Sequence, residues 1–114
     1  MMMLRTLDPE KRARLRDYLH EALGVTVAFS ECPGALLPVY LQNSYAFTCG
    51  RVFGSEYVFA APAQPEGSKG PLWHAKQQEK LASTFGRHVV LAFDELTARD
   101  RSRLVQKRAS FIVP

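Results

Sequence analysis

The spacing of apolar residues changes several times along this chain, and each change predicts an element. Leu15, Tyr18, Leu19 and Ala22 recur at helical spacing behind Asp8-Pro9-Glu10. Asp8 suits an N-cap, Pro9 gives up no needed hydrogen bond in the first turn, and Gly24 suits a left-handed stop. The period then falls to two over Val25, Val27 and Phe29, which predicts a strand from Val25 to Phe29. Ser30 to Gly34 reads as a turn. Leu36 to Phe47 fits either an edge strand or a helical turn opened by Pro38 and carrying Tyr40, Leu41 and Tyr45; the helical turn is preferred. Thr48 to Phe53 and Glu56 to Ala61 are dense in aromatic and β-branched residues. They flank Gly54-Ser55, a pair suited to a tight hairpin turn with glycine first.

Pro62 to Pro71 holds three prolines and two glycines and reads as the longest and most mobile loop. Leu72 to Phe85 predicts a helix stopped by Gly86, with Leu81, Ala82 and Phe85 inward and Lys76, Gln77, Glu79 and Lys80 towards water. Trp73, beside the loop, is expected to be exposed. The run Val89 to Phe93 suits a strand buried on both faces. Thr97 then caps a helix from Ala98 to Arg108, with Leu104 and Val105 inward, and Phe111 to Val113 make a last strand. Two strands separated by a helix call for a right-handed crossover to a parallel neighbour. The expected fold is α/β (α+β mixed): one mixed sheet, helices on both faces and a C-terminal βαβ unit. That order is analogous to restriction-endonuclease-like folds.

At 114 residues the chain is expected to be a single domain, residues 1–114, and its 46% of hydrophobic residues can supply a core. The net charge of +4 permits an anionic partner without demanding one. The cations cluster on two predicted helices: Arg5, Lys11, Arg12, Arg14 and Arg16 on the first, and Arg99, Arg101, Arg103, Lys107 and Arg108 on the last. Solvated helix faces account for such clusters, and contact with nucleic acid is the alternative. Cys32 and Cys49 have no metal spacing and are too few for a disulfide scaffold, so both are expected as reduced thiols in a cytoplasmic protein. A pairing between them is the lesser reading. No apolar run approaches the roughly 18 residues of a membrane helix, and the N-terminus turns charged without a signal peptide's apolar core.

The chemistry-bearing residues do not assemble into a familiar catalytic motif. A working nuclease of the analogous arrangement resembles a family with an acidic residue and then an acid-x-lysine pair on the next strand, holding a divalent ion. Here the matching strand reads Glu56-Tyr57-Val58, with valine in the lysine's place. Glu31, Glu56 and Asp94 are the carboxylates such a site would use. His20, His74 and His88 lack a second ligand at i+3 or i+4, which argues against zinc. Gly67-Ser68-Lys69-Gly70 lacks phosphate-loop spacing, and no glycine-flanked nucleophile turn appears. Tyr40, Tyr45, Phe47, Phe53, Tyr57 and Phe59 crowd around Arg51 and read as core, with a base-stacking face as the alternative. The expectation is a non-enzyme with no catalytic residue, no cofactor and no metal.

Val89 to Leu96, then Arg101 and Arg103-Leu104-Val105, then Phe111-Ile112-Val113-Pro114, resemble a family of bacterial MarR-like or winged helix-turn-helix transcriptional regulators. A weaker match lies at Leu37 to Leu41 and Tyr45-Ala46-Phe47. The resemblance implies an α/β segment that precedes a DNA-binding winged helix, and the winged helix itself has no counterpart in this sequence. It implies a non-catalytic regulatory or interaction domain, working in dimerisation, partner docking or effector sensing. The implied partners are a second copy of the chain or the winged-helix domain; no membrane partner is expected, from the lack of a long apolar run. The rival is a degenerate nuclease-like module binding nucleic acid through Arg99, Arg101, Arg103, Lys107 and Arg108; a metal-dependent nuclease ranks third. An exposed sheet edge near Phe111 to Pro114 is expected to invite pairing.

Overall fold

The computed structural model describes residues 4–32, 37–63 and 69–114. Nine elements follow in order: α1 (Pro9–Leu23), β1 (Phe29–Ser30), α2 (Val39–Ser44), β2 (Tyr45–Val52), β3 (Ser55–Pro62), α3 (Pro71–Phe85), β4 (His88–Ala92), α4 (Ala98–Gln106) and β5 (Phe111–Ile112). The strands form one open mixed sheet in the order β1-β2-β3-β4-β5. β1, β2 and β3 pair antiparallel, while β3, β4 and β5 run parallel. Each parallel step carries a helix between its strands, as the sequence pattern requires.

Strand alternation sorts the core into two layers, one on each face of the sheet. Tyr45, Phe47, Cys49, Val58, Ala60, Val89, Leu91 and Phe93 face Leu41 of α2, Leu81 of α3 and Leu104 of α4. Val52, Phe59, Ala61 and Ala92 face Leu15 and Leu19 of α1. The caps follow the sequence. The Asp8 side chain accepts from the Lys11 amide, Thr97 accepts from Asp100, and Gly24 and Gly86 end their helices at φ 69° and 66°.

Several expectations need correction. Val25 to Val27 are not in a strand; only Phe29 and Ser30 form a ladder, against Gly50 and Cys49. Val27 is still buried, so the alternation reported burial without hydrogen-bonded pairing. Pro38 does open a helical turn, but Tyr45 begins β2 rather than ending α2. The hairpin turns on Phe53-Gly54, not Gly54-Ser55: Val52 faces Ser55, and φ is positive at both central residues (49° and 80°). That is the sense matching sheet twist, at the cost of a non-glycine residue in the left-handed region. Val105 is 64% exposed, since α4 meets the sheet through the single stripe centred on Leu104. Ala22 is likewise exposed. Gln77, expected in water, is buried and accepts from the Tyr40 hydroxyl at 3.0 Å. Trp73 is half-buried and stacks on Tyr45, leaving Phe53, at 74%, as the most exposed large apolar side chain among the described residues. Parts of the expected Ser30–Gly34 turn and Pro62–Pro71 loop lie outside the described residues.

Candidate functional site

The β2-β3-β4 register writes a charged row across the sheet. Arg51 faces Glu56 on the antiparallel pair. Tyr57 faces His88 on the parallel pair, so Arg87 stands beside Glu56 one step earlier. All three side chains emerge on the face that carries α3, just where α3 stops at Phe85 and Gly86. The helix layer therefore does not cover them, and charge replaces the apolar residues of the next rows. One Glu56 oxygen lies 3.0 Å from Arg87 Nη2 and the other 3.7 Å from Arg51 Nη2. The carboxylate holds Arg87 closely and the exposed Arg51 only loosely, and the three side chains together carry one positive charge.

This row borders an open cleft of about 310 Å³ that Glu31 and Cys49 also line. Cys49 occupies the row beneath Arg51 and Glu56, and Arg87 Nη1 reaches to 4.0 Å from its sulfur. Cys32 lies against it, with the two sulfurs 2.8 Å apart, both as free thiols. Burial pushes the Cys32 thiol well above its ordinary range; the hydrogen bond and charge of Cys49 add to this and Arg87 opposes it. The cleft thus combines the Cys49 thiol, backed by Cys32, with two carboxylates, Glu31 and Glu56, and two cations.

Of the three carboxylates a nuclease would use, Glu31 and Glu56 share this cleft and Asp94 does not. Asp94 follows the opposite end of β4, about 20 Å away at the rise of an extended chain. There it meets Lys11 at 3.4 Å and Arg14 at 3.3 Å. Such a distance excludes a metal shared with Glu56, given ligand distances of about 2–2.6 Å. Val58, in the lysine's place, is fully buried. Among the described residues no three His, Cys, Asp or Glu side chains gather into a metal-holding group.

The basic helices separate. α1 and α4 pack on opposite faces of the sheet, so their cations make no continuous surface. Lys11 and Arg14 are engaged with Asp94, and Arg12 donates to the Leu7 carbonyl. On α4 and its C-terminal turn, Arg99, Arg101, Lys107 and Arg108 are exposed and Arg103 is half-buried. None of the five is in an ion pair among the described residues. Arg108 sits at φ 55°, in the left-handed position past the helix end where glycine is favoured. The crowded aromatics divide between the faces: Tyr45 and Phe47 on one, Tyr57 and Phe59 on the other. No single stacking face results.

Sequence reasoning missed Arg51, Arg87 and the thiol contact as members of one site. Only the strand register brings them together, and nothing in their spacing announces it. Comparison with known proteins adds nothing here, since no family model, curated protein or solved structure matches the chain.

Proposed function

We propose that this domain is a non-catalytic docking and dimerisation module of a bacterial transcriptional regulator, with a degenerate restriction-endonuclease-like core. The observation that carries the reading is the outer edge of β5. The Ser110 and Ile112 carbonyls accept from Leu91 of β4 and from Phe93 just past its end. Peptide groups alternate along a strand, so those of Phe111 and Val113 point to the open side of the sheet. Phe111, Ile112 and Val113 are only half-buried and pack on both core layers, so an added strand would extend both. A second copy of the chain is the simplest donor, pairing edge to edge. The test is sedimentation of the chain over a wide concentration range. The reading predicts a dimer that Val113→Pro, which removes one outward amide, turns into a monomer of unchanged melting temperature. A monomer at every concentration, or a dimer indifferent to Val113→Pro, would reject edge pairing.

A second reading is binding of nucleic acid through α4. It is favoured by the five cations that make no ion pair among the described residues and by Arg108, whose left-handed backbone glycine would tolerate better. It predicts affinity for duplex or single-stranded DNA that falls steeply with salt, as the entropy gained by releasing counterions shrinks. Absent or salt-independent binding would eliminate it.

A further inference from the structure

The two thiols form a pair that neither reading uses. β1 places Ser30 opposite Cys49, and the chain then turns so that Cys32 lies on the Cys49 sulfur. Their separation of 2.8 Å exceeds a disulfide bond of about 2.05 Å by less than about 1 Å, so closure requires little movement. The cleft reaches Cys49 and is wide enough for several waters or a small molecule. Arg87, fixed by Glu56, presents a guanidinium to the Cys49 sulfur from the cleft side. Buried structural cysteines ordinarily have neither an access path nor a cation beside them.

We propose that Cys32 and Cys49 are a redox pair that reacts with a small hydroperoxide, arriving through the cleft, and closes to an intrachain disulfide. This goes beyond the docking role and does not depend on it. Cys49 is the sulfur that attacks. Its thiolate displaces alkoxide or hydroxide from the distal peroxide oxygen, the O–O bond breaks, and the departing oxygen takes a proton to leave as alcohol or water. Cys49 is then a sulfenic acid. The Cys32 sulfur attacks it, the S–O bond breaks, and the hydroxyl leaves as water with the Cys32 proton. Two thiols and one hydroperoxide give one disulfide, one alcohol and one water; sulfur loses two electrons and the peroxide gains them. The order suits the site. Burial holds the Cys32 thiol protonated, whereas Cys49 borders the cleft with the Arg87 guanidinium beside it, so Cys49 meets the peroxide first and Cys32 follows.

The experiment treats the reduced chain with equimolar hydrogen peroxide and reads thiol titre and intact mass. Loss of both thiols, with a mass lower by two hydrogen atoms and full reversal by a dithiol reductant, is expected. Cys32→Ser should trap a sulfenic acid at Cys49 that a dimedone probe labels, and Arg87→Met should slow thiol loss several-fold. Persistence of both thiols in the unmutated chain, disulfides only between chains, or direct passage to sulfinic acid would overturn the proposal. The unmutated readouts decide it even where a variant fails to fold.

Discussion

Acid should weaken this domain through a single histidine. His74 lies in the first turn of α3 and is only 8% exposed. The rings of Trp73, Phe93 and Tyr45 surround it at centroid distances of 5.1, 5.3 and 5.6 Å. The Tyr45 hydroxyl is 2.5 Å from Nδ1. Burial raises the Tyr45 phenol's pKa, and Tyr40 adds to this, so Tyr45 keeps its proton and donates it; Nδ1 accepts and the imidazole is neutral. Burial lowers the His74 pKa from 6.5 to about 4. The unfolded chain therefore binds more protons than the folded one between those values, and stability rises with pH there. The contribution is intact above pH 6.5 and is lost as pH falls towards 4. Each pKa unit is worth about 1.36 kcal/mol, which gives roughly 2.5 kcal/mol between about pH 7.5 and 4.5. Residual solvent contact reduces this to ~2 kcal/mol.

Urea unfolding followed by fluorescence of Trp73, the chain's single tryptophan, measures the loss directly. Carboxylates also titrate in this range, so the comparison is with His74→Gln, whose amide can still accept from Tyr45. The variant should lose ~2 kcal/mol less than the unmutated chain over the same interval, with equal denaturant slopes. Parallel pH profiles for the two proteins would refute the assignment.

Three further outcomes follow from the geometry. Gly50→Ala should destabilise the fold by about 1–3 kcal/mol in the same assay, because the added methyl meets Val27 Cγ1 at 2.6 Å and the Phe29 ring at 3.1 Å. Arg108→Gly should do the reverse, raising stability by about 1 kcal/mol and the melting temperature by roughly 4–8 °C, since it relieves a left-handed side chain; it should also weaken any DNA binding that uses α4. Gln78 donates to the Val89 and Ser110 carbonyls at 2.7 Å each and accepts from the Ser110 amide at 3.1 Å. Gln78→Leu should cost about 2–3 kcal/mol and deprotect the Ser110 amide in hydrogen exchange, whereas uniform loss of protection would show that the clamp is not local.

The elements were legible where one local cause dominates. Asp8, Thr97, Gly24 and Gly86 mark helix ends because capping and the left-handed stop depend on one or two residues. The run Val89 to Phe93 announces a strand covered on both faces, and it is one. Failures came where distant partners decide. Gln77 looks like the wet side of an amphipathic helix, yet Tyr40 gives it a partner inside, as the β4-β5 junction does for its neighbour Gln78. Val105 looks like core, yet α4 lies on the sheet along one stripe only. The cleft was least legible. Glu56 read as a solvated strand-end charge, or as one of three carboxylates of a third-ranked nuclease site, and only the register shows that Arg87 and Arg51 flank it.

The thiol pair and the proposed docking edge lie too far apart to act on one another by contact. Cys49 is on β2 and β5 is three strands away, about 14 Å at the usual strand spacing. Between them β3 and β4 are buried on both faces, and such strands do not shift independently of their neighbours. Disulfide closure would tie the segment after β1 to β2 across a loop of about 17 residues, adding about 3 kcal/mol of stability by restricting the unfolded chain. That gain belongs to folding and leaves the β5 edge as it was. Edge-dependent dimerisation should therefore have the same dissociation constant before and after peroxide treatment, and Val113→Pro should leave the rate of thiol loss unchanged. A dimer that appears only in the oxidised protein, with no disulfide between chains, would show that the sheet transmits strain across three strands and that the two sites form one switch.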